Sequence, residues 1–191
     1  MVGYEGVYGA EWYKMAGGLS VFHRLCLPFT RNVVGPMDFT GVTFTGPAAG
    51  KRNNSDAAEL ALAVLYENGI SYWGDHPDAY RARPAAMGFL KKCPSAWEET
   101  KFVAGYPGEF VCLARKGLRS ETWFIAGMSA LPPRDVSIPL RFLTAGKEYR
   151  LTLHRDGADG TRIETETRTV HVGRVLTLHL VNNGGFAGTI E

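Results

Sequence analysis

The chain has 191 residues, 45% of them hydrophobic, 12% aromatic and 21% charged, a balance that supports one core or two small ones and excludes intrinsic disorder. Lys plus Arg number 21 against 19 Asp plus Glu, scattered along the chain, so neither a nucleic-acid footprint nor a solvating acidic tail is indicated and a neutral partner is expected. No stretch approaches the roughly 18 consecutive apolar residues of a membrane-spanning helix, which predicts a soluble chain, and Cys26, Cys93 and Cys112 lack any CxxC or Cys/His ligand spacing and read as small apolar fillers.

The opening Met1-Val2-Gly3-Tyr4-Glu5 has neither the basic stretch nor the apolar run of a secretory signal. A site-like motif follows within the first dozen residues with no scaffold ahead of it, which predicts a piece of a longer protein. In YEGVYGAEWY, Glu5 and Glu11 are separated by Gly6 and Gly9 and surrounded by Tyr4, Tyr8, Trp12 and Tyr13. Aromatic faces offer apolar area to the C–H face of a pyranose, and carboxylates can bind hydroxyls, a cation, or a glycosidic oxygen awaiting a proton. On a straight strand the two glutamates would stand roughly 20 Å apart, so a shared site requires the bend that the glycines allow. The bland alternative is two solvated glutamates on a glycine-containing loop with aromatics packed beneath.

Residues 1 to about 54 show no sustained period and read as loops joined by short elements. Asp56 to Asn68 is the clearest helix, with Asp56 and Glu59 as a capping box, Asn68-Gly69 as the stop, and Leu60, Val64 and a flank of Ala63 and Tyr66 facing a core. Ile70 to Trp73 follows as a short strand, so helix then strand suggests an α/β unit. Asp75 to Cys93 holds two short helical pieces, with Pro77 suiting a first turn, Pro84 a restart and Pro94 the end. Beyond about Lys101 the pattern changes to strands at Glu109–Arg115, Thr122–Met128, Val136–Phe142, Tyr149–His154, Arg162–His171 and Val175–Val181, separated by turn chemistry at Lys116-Gly117, Pro132-Pro133, Ala145-Gly146, Asp156-Gly157 and Gly173. These strands fit a sandwich, and the boundary falls near residues 95 to 105. His154, His171 and His179 read as surface residues of its strands.

The run Leu27-Pro-Phe-Thr-Arg-Asn-Val-Val-Gly-Pro-Met-Asp-Phe-Thr40, after YEGVYGAEW, resembles glycoside hydrolase family 97, the calcium-dependent α-glucosidases and α-galactosidases. The resemblance continues through Glu59-Leu-Ala-Leu-Ala-Val64, Trp97-Glu-Glu-Thr-Lys101, Tyr106-Pro-Gly-Glu109 and Trp123-Phe-Ile-Ala-Gly127, essentially the whole chain. It implies a fold of N-terminal β-sandwich, central (β/α)8 barrel and C-terminal β-sandwich, of which this chain would be an α+β piece. Residues 1–98 would then be the end of the catalytic TIM barrel and residues 99–191 the antiparallel C-terminal sandwich, with the missing N-terminal sandwich and barrel portion of the same protein as its partner.

The resemblance further implies that Glu5 is a Ca2+ ligand and Glu11 the general acid, with Glu11 also reaching the metal. An acid needs a raised pKa, whereas a nearby divalent ion lowers it; one resolution is that Glu5 binds calcium throughout while Glu11 touches the ion only in the substrate-free state or through one oxygen. Calcium takes roughly six to eight oxygens and two glutamates supply at most about four, so the remaining ligands are water, substrate or upstream residues. The second carboxylate that glycoside hydrolysis requires would also lie upstream. Tyr8 and Trp12 are candidates to line a sugar subsite, with a packing wall as the alternative, and His23 is a candidate substrate contact, with a structural histidine as the alternative. Asp38 and Asp75 read as structural, Asp75 as a helix N-cap ahead of Pro77. The full-length parent would be periplasmic or extracellular. The competing reading is a non-catalytic sandwich module with a structural or weak carbohydrate-binding role.

Overall fold

The computed structural model describes residues 19–37, 39–45, 52–158, 160 and 162–191. Within them the first half is short and irregular, as the glycine- and proline-rich sequence predicts: helix α1 (Val21–Cys26), a 3-10 turn at Leu27–Phe29, helix α2 (Arg31–Val34) and strand β1 (Phe39–Gly41). Helix α3 (Asp56–Leu65) and strand β2 (Ser71–Trp73) follow, then α4 (Pro77–Arg81) and α5 (Pro84–Lys92), each with proline in its first turn. Strands β1 and β2 pair in parallel, Gly41 opposite Trp73, with α3 as the crossover. Among the described residues this is a two-stranded sheet and not a barrel, because two parallel strands cannot close on themselves.

The chain is otherwise mostly antiparallel sheet. Strands β3 (Trp97–Tyr106), β4 (Phe110–Gly117), β5 (Trp123–Ser129), β7 (Glu148–Asp156), β8 (Ile163–His171) and β10 (Gly185–Ile190) form a six-stranded sheet in the order β3-β4-β5-β10-β7-β8, and β6 (Arg134–Pro139) pairs with β9 (Val175–Leu180) in a second, two-stranded sheet. All six strands expected from the sequence are present within a few residues. Two were not foreseen: β3, which lies across the anticipated boundary, and β10, which is placed centrally between β5 and β7.

Period-2 alternation sorts the six-stranded sheet's side chains between two cores. Cys112, Ala114, Ile125, Leu151, Leu153 and Phe186 meet Val136, Ile138, Leu176 and Leu178 of the small sheet, which gives a β-sandwich packed face to face. Val111, Leu113, Phe124, Ala126, Met128 and Ala187 point the other way and meet α3. All ten residues of α3 are buried, where the sequence predicted one apolar face, because the helix lies between the large sheet and the β1–β2 region. Its N-cap is Ser55, whose Oγ accepts from Ala58 N at 3.1 Å; the expected Asp56–Glu59 box does not form, and the helix ends at Leu65, before the anticipated Asn68-Gly69 stop.

Histidines also divide. His171 and His179 are exposed, the latter bonded to Asp135 at 2.8 Å, but His154 is buried, contrary to the surface position expected for it. Helix α5 covers that end of the sheet, stacking Phe89 edge-on against the imidazole at 5.4 Å, while Nδ1 meets Thr165 Oγ1 at 2.9 Å. Burial, then the Lys92 charge, lowers the His154 pKa, so the ring stays neutral and acts as packing.

Candidate functional site at the strand ends

The parallel pairing places the C-terminal ends of β1 and β2 together, the end at which open α/β units collect their functional loops. Gly74 N donates to Gly41 O at 2.8 Å, and the residues just beyond each strand are knitted by Asp75. Its Oδ2 accepts from Phe44 N and Thr45 N at 2.7 and 2.8 Å, and its Oδ1 from Thr45 Oγ1 and His76 N at 2.7 and 2.8 Å. Asp75 is therefore structural, but not as the expected cap: the N-cap of α4 is His76, whose Nδ1 accepts from Asp78 N. Tyr80 completes the knot, its hydroxyl donating to Val42 O at 3.0 Å and accepting from Asp75 N at 2.9 Å. Burial pushes the Tyr80 phenol up to about 12, with the Asp75 and Glu59 charges adding to it.

Burial alone would raise the Asp75 pKa, but the four donated hydrogen bonds outweigh it and the carboxyl sits below its ordinary value. A lowered folded pKa contributes stability that is present above the unfolded value and lost as pH falls through the folded one. Acid unfolding below about pH 4 should therefore be steeper in the wild type than in Asp75→Asn, measured as Tm against pH. Tyr80→Phe, which strands Val42 O and Asp75 N, should cost about 1–2 kcal/mol in chemical denaturation.

A second knot ties the chain's earliest described residues to the same end. Arg24 Nη1 pairs with Glu59 Oε2 at 2.8 Å, both side chains buried, while Nε donates to Leu19 O at 3.3 Å. Glu59 also accepts from Asn54 Nδ2 at 3.1 Å and, through Oε1, from Thr43 N at 3.1 Å. A chain of polar contacts thus runs from Leu19 through Arg24 and Glu59 to Thr43, just past the end of β1. Next to it, Asp56 in the first turn of α3 is held by Arg52 and Arg83, a favourable place for negative charge.

The third knot joins this region to the sandwich. Asp156 at the end of β7 accepts from Ser55 Oγ at 2.8 Å, Gly185 N at 2.9 Å and Ala57 N at 3.3 Å. Burial raises its pKa, opposed by those three donors.

Glu5, Tyr8, Glu11 and Trp12, which carry the predicted chemistry, lie outside the described residues, as does Asp38. His23 is described: it is exposed on α1 between exposed Phe22 and buried Arg24, and its backbone N–H donates to the capping Ser20 Oγ at 3.2 Å. Among the described residues no group of three or more His, Cys, Asp or Glu is arranged to hold a metal, since the buried carboxylates above are occupied by N–H and O–H donors. Sequence reasoning missed Glu59 and Asp156 as joints. The only signal for Glu59 was its place in a capping pattern, and Asp156 stood in what reads as a turn. No helix among the described residues is long and apolar enough to cross a membrane.

Residues 96–191 match the family described as glycosyl-hydrolase 97 C-terminal, oligomerisation. The chain is 45% identical over 185 residues to a probable retaining alpha-galactosidase of Streptomyces bingchenggensis, spanning 96% of this chain and 27% of that protein. A retaining alpha-galactosidase of Bacteroides thetaiotaomicron is 28% identical, aligned over 100% of this chain and 31% of its own length. In structure the chain resembles a glycoside hydrolase family 97 enzyme of Pseudoalteromonas sp. strain K8, solved in complex with acarbose, with a TM-score of 0.87 and 27% identity over 95% of this chain and 30% of that one. It also resembles a β-arabinopyranosidase, with a TM-score of 0.76 and 29% identity, over 96% of this chain and 29% of that one. The chain thus spans under a third of the length of the relatives it matches. Two antiparallel sheets packed as a sandwich, a family match over that sandwich, and a fold shared along nearly the whole chain have one meaning: the chain belongs to glycoside hydrolase family 97 and corresponds to the C-terminal portion of its members.

Proposed function

We propose that this chain is the closing portion of a calcium-dependent, retaining glycoside hydrolase that cleaves terminal α-galactosidic bonds, with the α-glucosidic bond as the alternative substrate. The observation that carries the reading is the 45% identity, along 96% of the chain, to a protein named probable retaining alpha-galactosidase. Residues 1–98 contribute the last βα units of the catalytic barrel and residues 99–191 the C-terminal sandwich. The parallel β1–α3–β2 unit supports the first part, being the kind of repeat from which such barrels are built. In support of the site, a chain of polar contacts runs from Leu19, which follows the glutamate-bearing segment, through Arg24 and Glu59 to Thr43 beyond the end of β1, the end where barrel enzymes carry their chemistry.

In this reading Glu11 protonates the leaving glycosidic oxygen, Glu5 and Glu11 offer hard carboxylate oxygens of the kind Ca2+ prefers, and Tyr8, Trp12 and His23 contact the sugar. The ion, when bound, supplies positive charge beside the sugar. The nucleophile that a retaining mechanism requires comes from upstream residues of a longer protein exported to the periplasm or cell exterior. The knots at Asp75, Glu59 and Asp156 hold the loops that frame the site without taking part in proton transfer.

The test is hydrolysis of a natural α-galactoside by the complete protein, with calcium and with a chelator. Glu11→Gln should lower kcat by about 10²- to 10⁴-fold, and Glu5→Gln should weaken calcium binding in calorimetry. Turnover by Glu11→Gln within a few fold of wild type removes the acid assignment. A second role is favoured by the match of residues 96–191 to a family described as oligomerisation: the sandwich joins copies of the enzyme, independently of the chemistry upstream.

A further inference from the structure

Resting on that second role, we propose that the exposed edge formed by β3 is where two copies of the chain meet. Within residues 96–191 the exposed large apolar side chains are Phe102, Tyr106, Leu118, Leu131 and Val175, 59, 67, 51, 57 and 50% accessible. Only Phe102 and Tyr106 share an element, an edge of the six-stranded sheet, which they flank on its two faces: Phe102 pairs with Leu113 of one core and Tyr106 with Phe110 of the other. The opposite edge, β8, presents Glu164, Glu166 and Arg168 and no exposed large apolar side chain. Aromatic residues on an otherwise unpartnered edge mark an association surface.

The same surface holds both projections and recesses, which a two-fold contact requires because each copy must present what the other accepts. Phe102 stands between two grooves. One, of about 480 Å3, is walled by Phe29, Val33, Val111 and Leu113, and the other, of about 530 Å3, by Val103, Pro139, Arg141 and Phe142. Phe29 already meets Phe102 edge-on at 5.8 Å, and Val33, 74% exposed, extends the apolar rim.

The contact is made by side chains and not by a continuous sheet, since the register shift between Phe102 and Ala104 interrupts the ladder at the centre of the edge.

The experiment is sedimentation of the complete protein across a concentration series, with hydrogen exchange of β3. Wild type should be dimeric with Phe102–Tyr106 protected, and Phe102→Glu and Tyr106→Lys should each weaken association at least about tenfold with unchanged circular dichroism. Thr167→Glu, on the opposite edge strand β8, should leave it unchanged. A dimer that survives Phe102→Glu overturns this surface while leaving the oligomerisation role intact. A monomer at every concentration overturns both, and neither outcome touches the catalytic reading, which is tested separately by Glu11→Gln.

Discussion

Gly185→Ala should destabilise the protein by about 2–3 kcal/mol, seen as a fall in Tm of about 5–10 °C. A Cβ built at Gly185 lies 2.6 Å from Ala58 Cα and 2.7 Å from Gly127 O. Both are backbone atoms, so no rotamer change relieves the contact, and α3 must lift from the sheet or β10 must move from β5. Lifting α3 separates it from Val111, Leu113, Phe124 and Met128, the sheet residues that share its core. A contrasting position is Gly146, at positive φ with open space around it. Alanine there meets only the backbone cost of its left-handed conformation, about 1 kcal/mol. If Gly185→Ala unfolds at the wild-type temperature, the close seating of α3 on β10 is wrong.

The same glycine explains why β10 was illegible. A central strand usually announces itself by β-branched residues or alternation, and Gly-Phe-Ala-Gly-Thr-Ile offers little of either. Its glycines, Gly185 and Gly188, are required where α3 and the backbone of β7 approach closely, facts of tertiary packing with no local trace. Strands such as β7 and β9, one side in the core and one in water over most of their length, were readable because alternation is written in the sequence. The α3 helix was readable in position but not in burial, since its second buried side depends on the β1–β2 region that folds over it. His154 failed for a related reason: alternation assigned it to the outer face correctly, and α5 then covered that face. Strand pairing in residues 97–191 is internal to them, but their packing is not, because Val111, Leu113, Phe124, Ala126, Met128 and Ala187 of the large sheet share a core with α3. The candidate acid and metal ligands rest on residue type and resemblance alone and lie outside the described residues, whereas the anchoring of Leu19 by Arg24 and Glu59 required contacts 35 residues apart.

Asp156→Ala should cost about 3–4 kcal/mol, because it leaves the buried N–H groups of Ala57 and Gly185 without an acceptor at about 1–3 kcal/mol each, while the Ser55 hydroxyl can rotate. Asp156→Asn keeps the shape but turns an amide N–H₂ toward donors and should fall between the variant and the wild type. The pH dependence distinguishes a lost carboxylate from a lost shape. Burial raises the Asp156 pKa above its ordinary value despite the three donors. A raised folded pKa contributes stability that is full below the unfolded value and is lost as pH rises through the folded one. Relative to Asp156→Asn, the wild type should therefore lose stability on going up from about pH 4 through the folded pKa, the reverse of the contribution expected from Asp75. Because Gly185 N donates to Asp156 and Gly185 seats α3, Asp156→Ala and Gly185→Ala act on one joint. The double variant should be less destabilised than the sum of the singles, with a coupling of at least about 0.5 kcal/mol; strict additivity would mean that the hydrogen-bonded knot and the helix seat break independently.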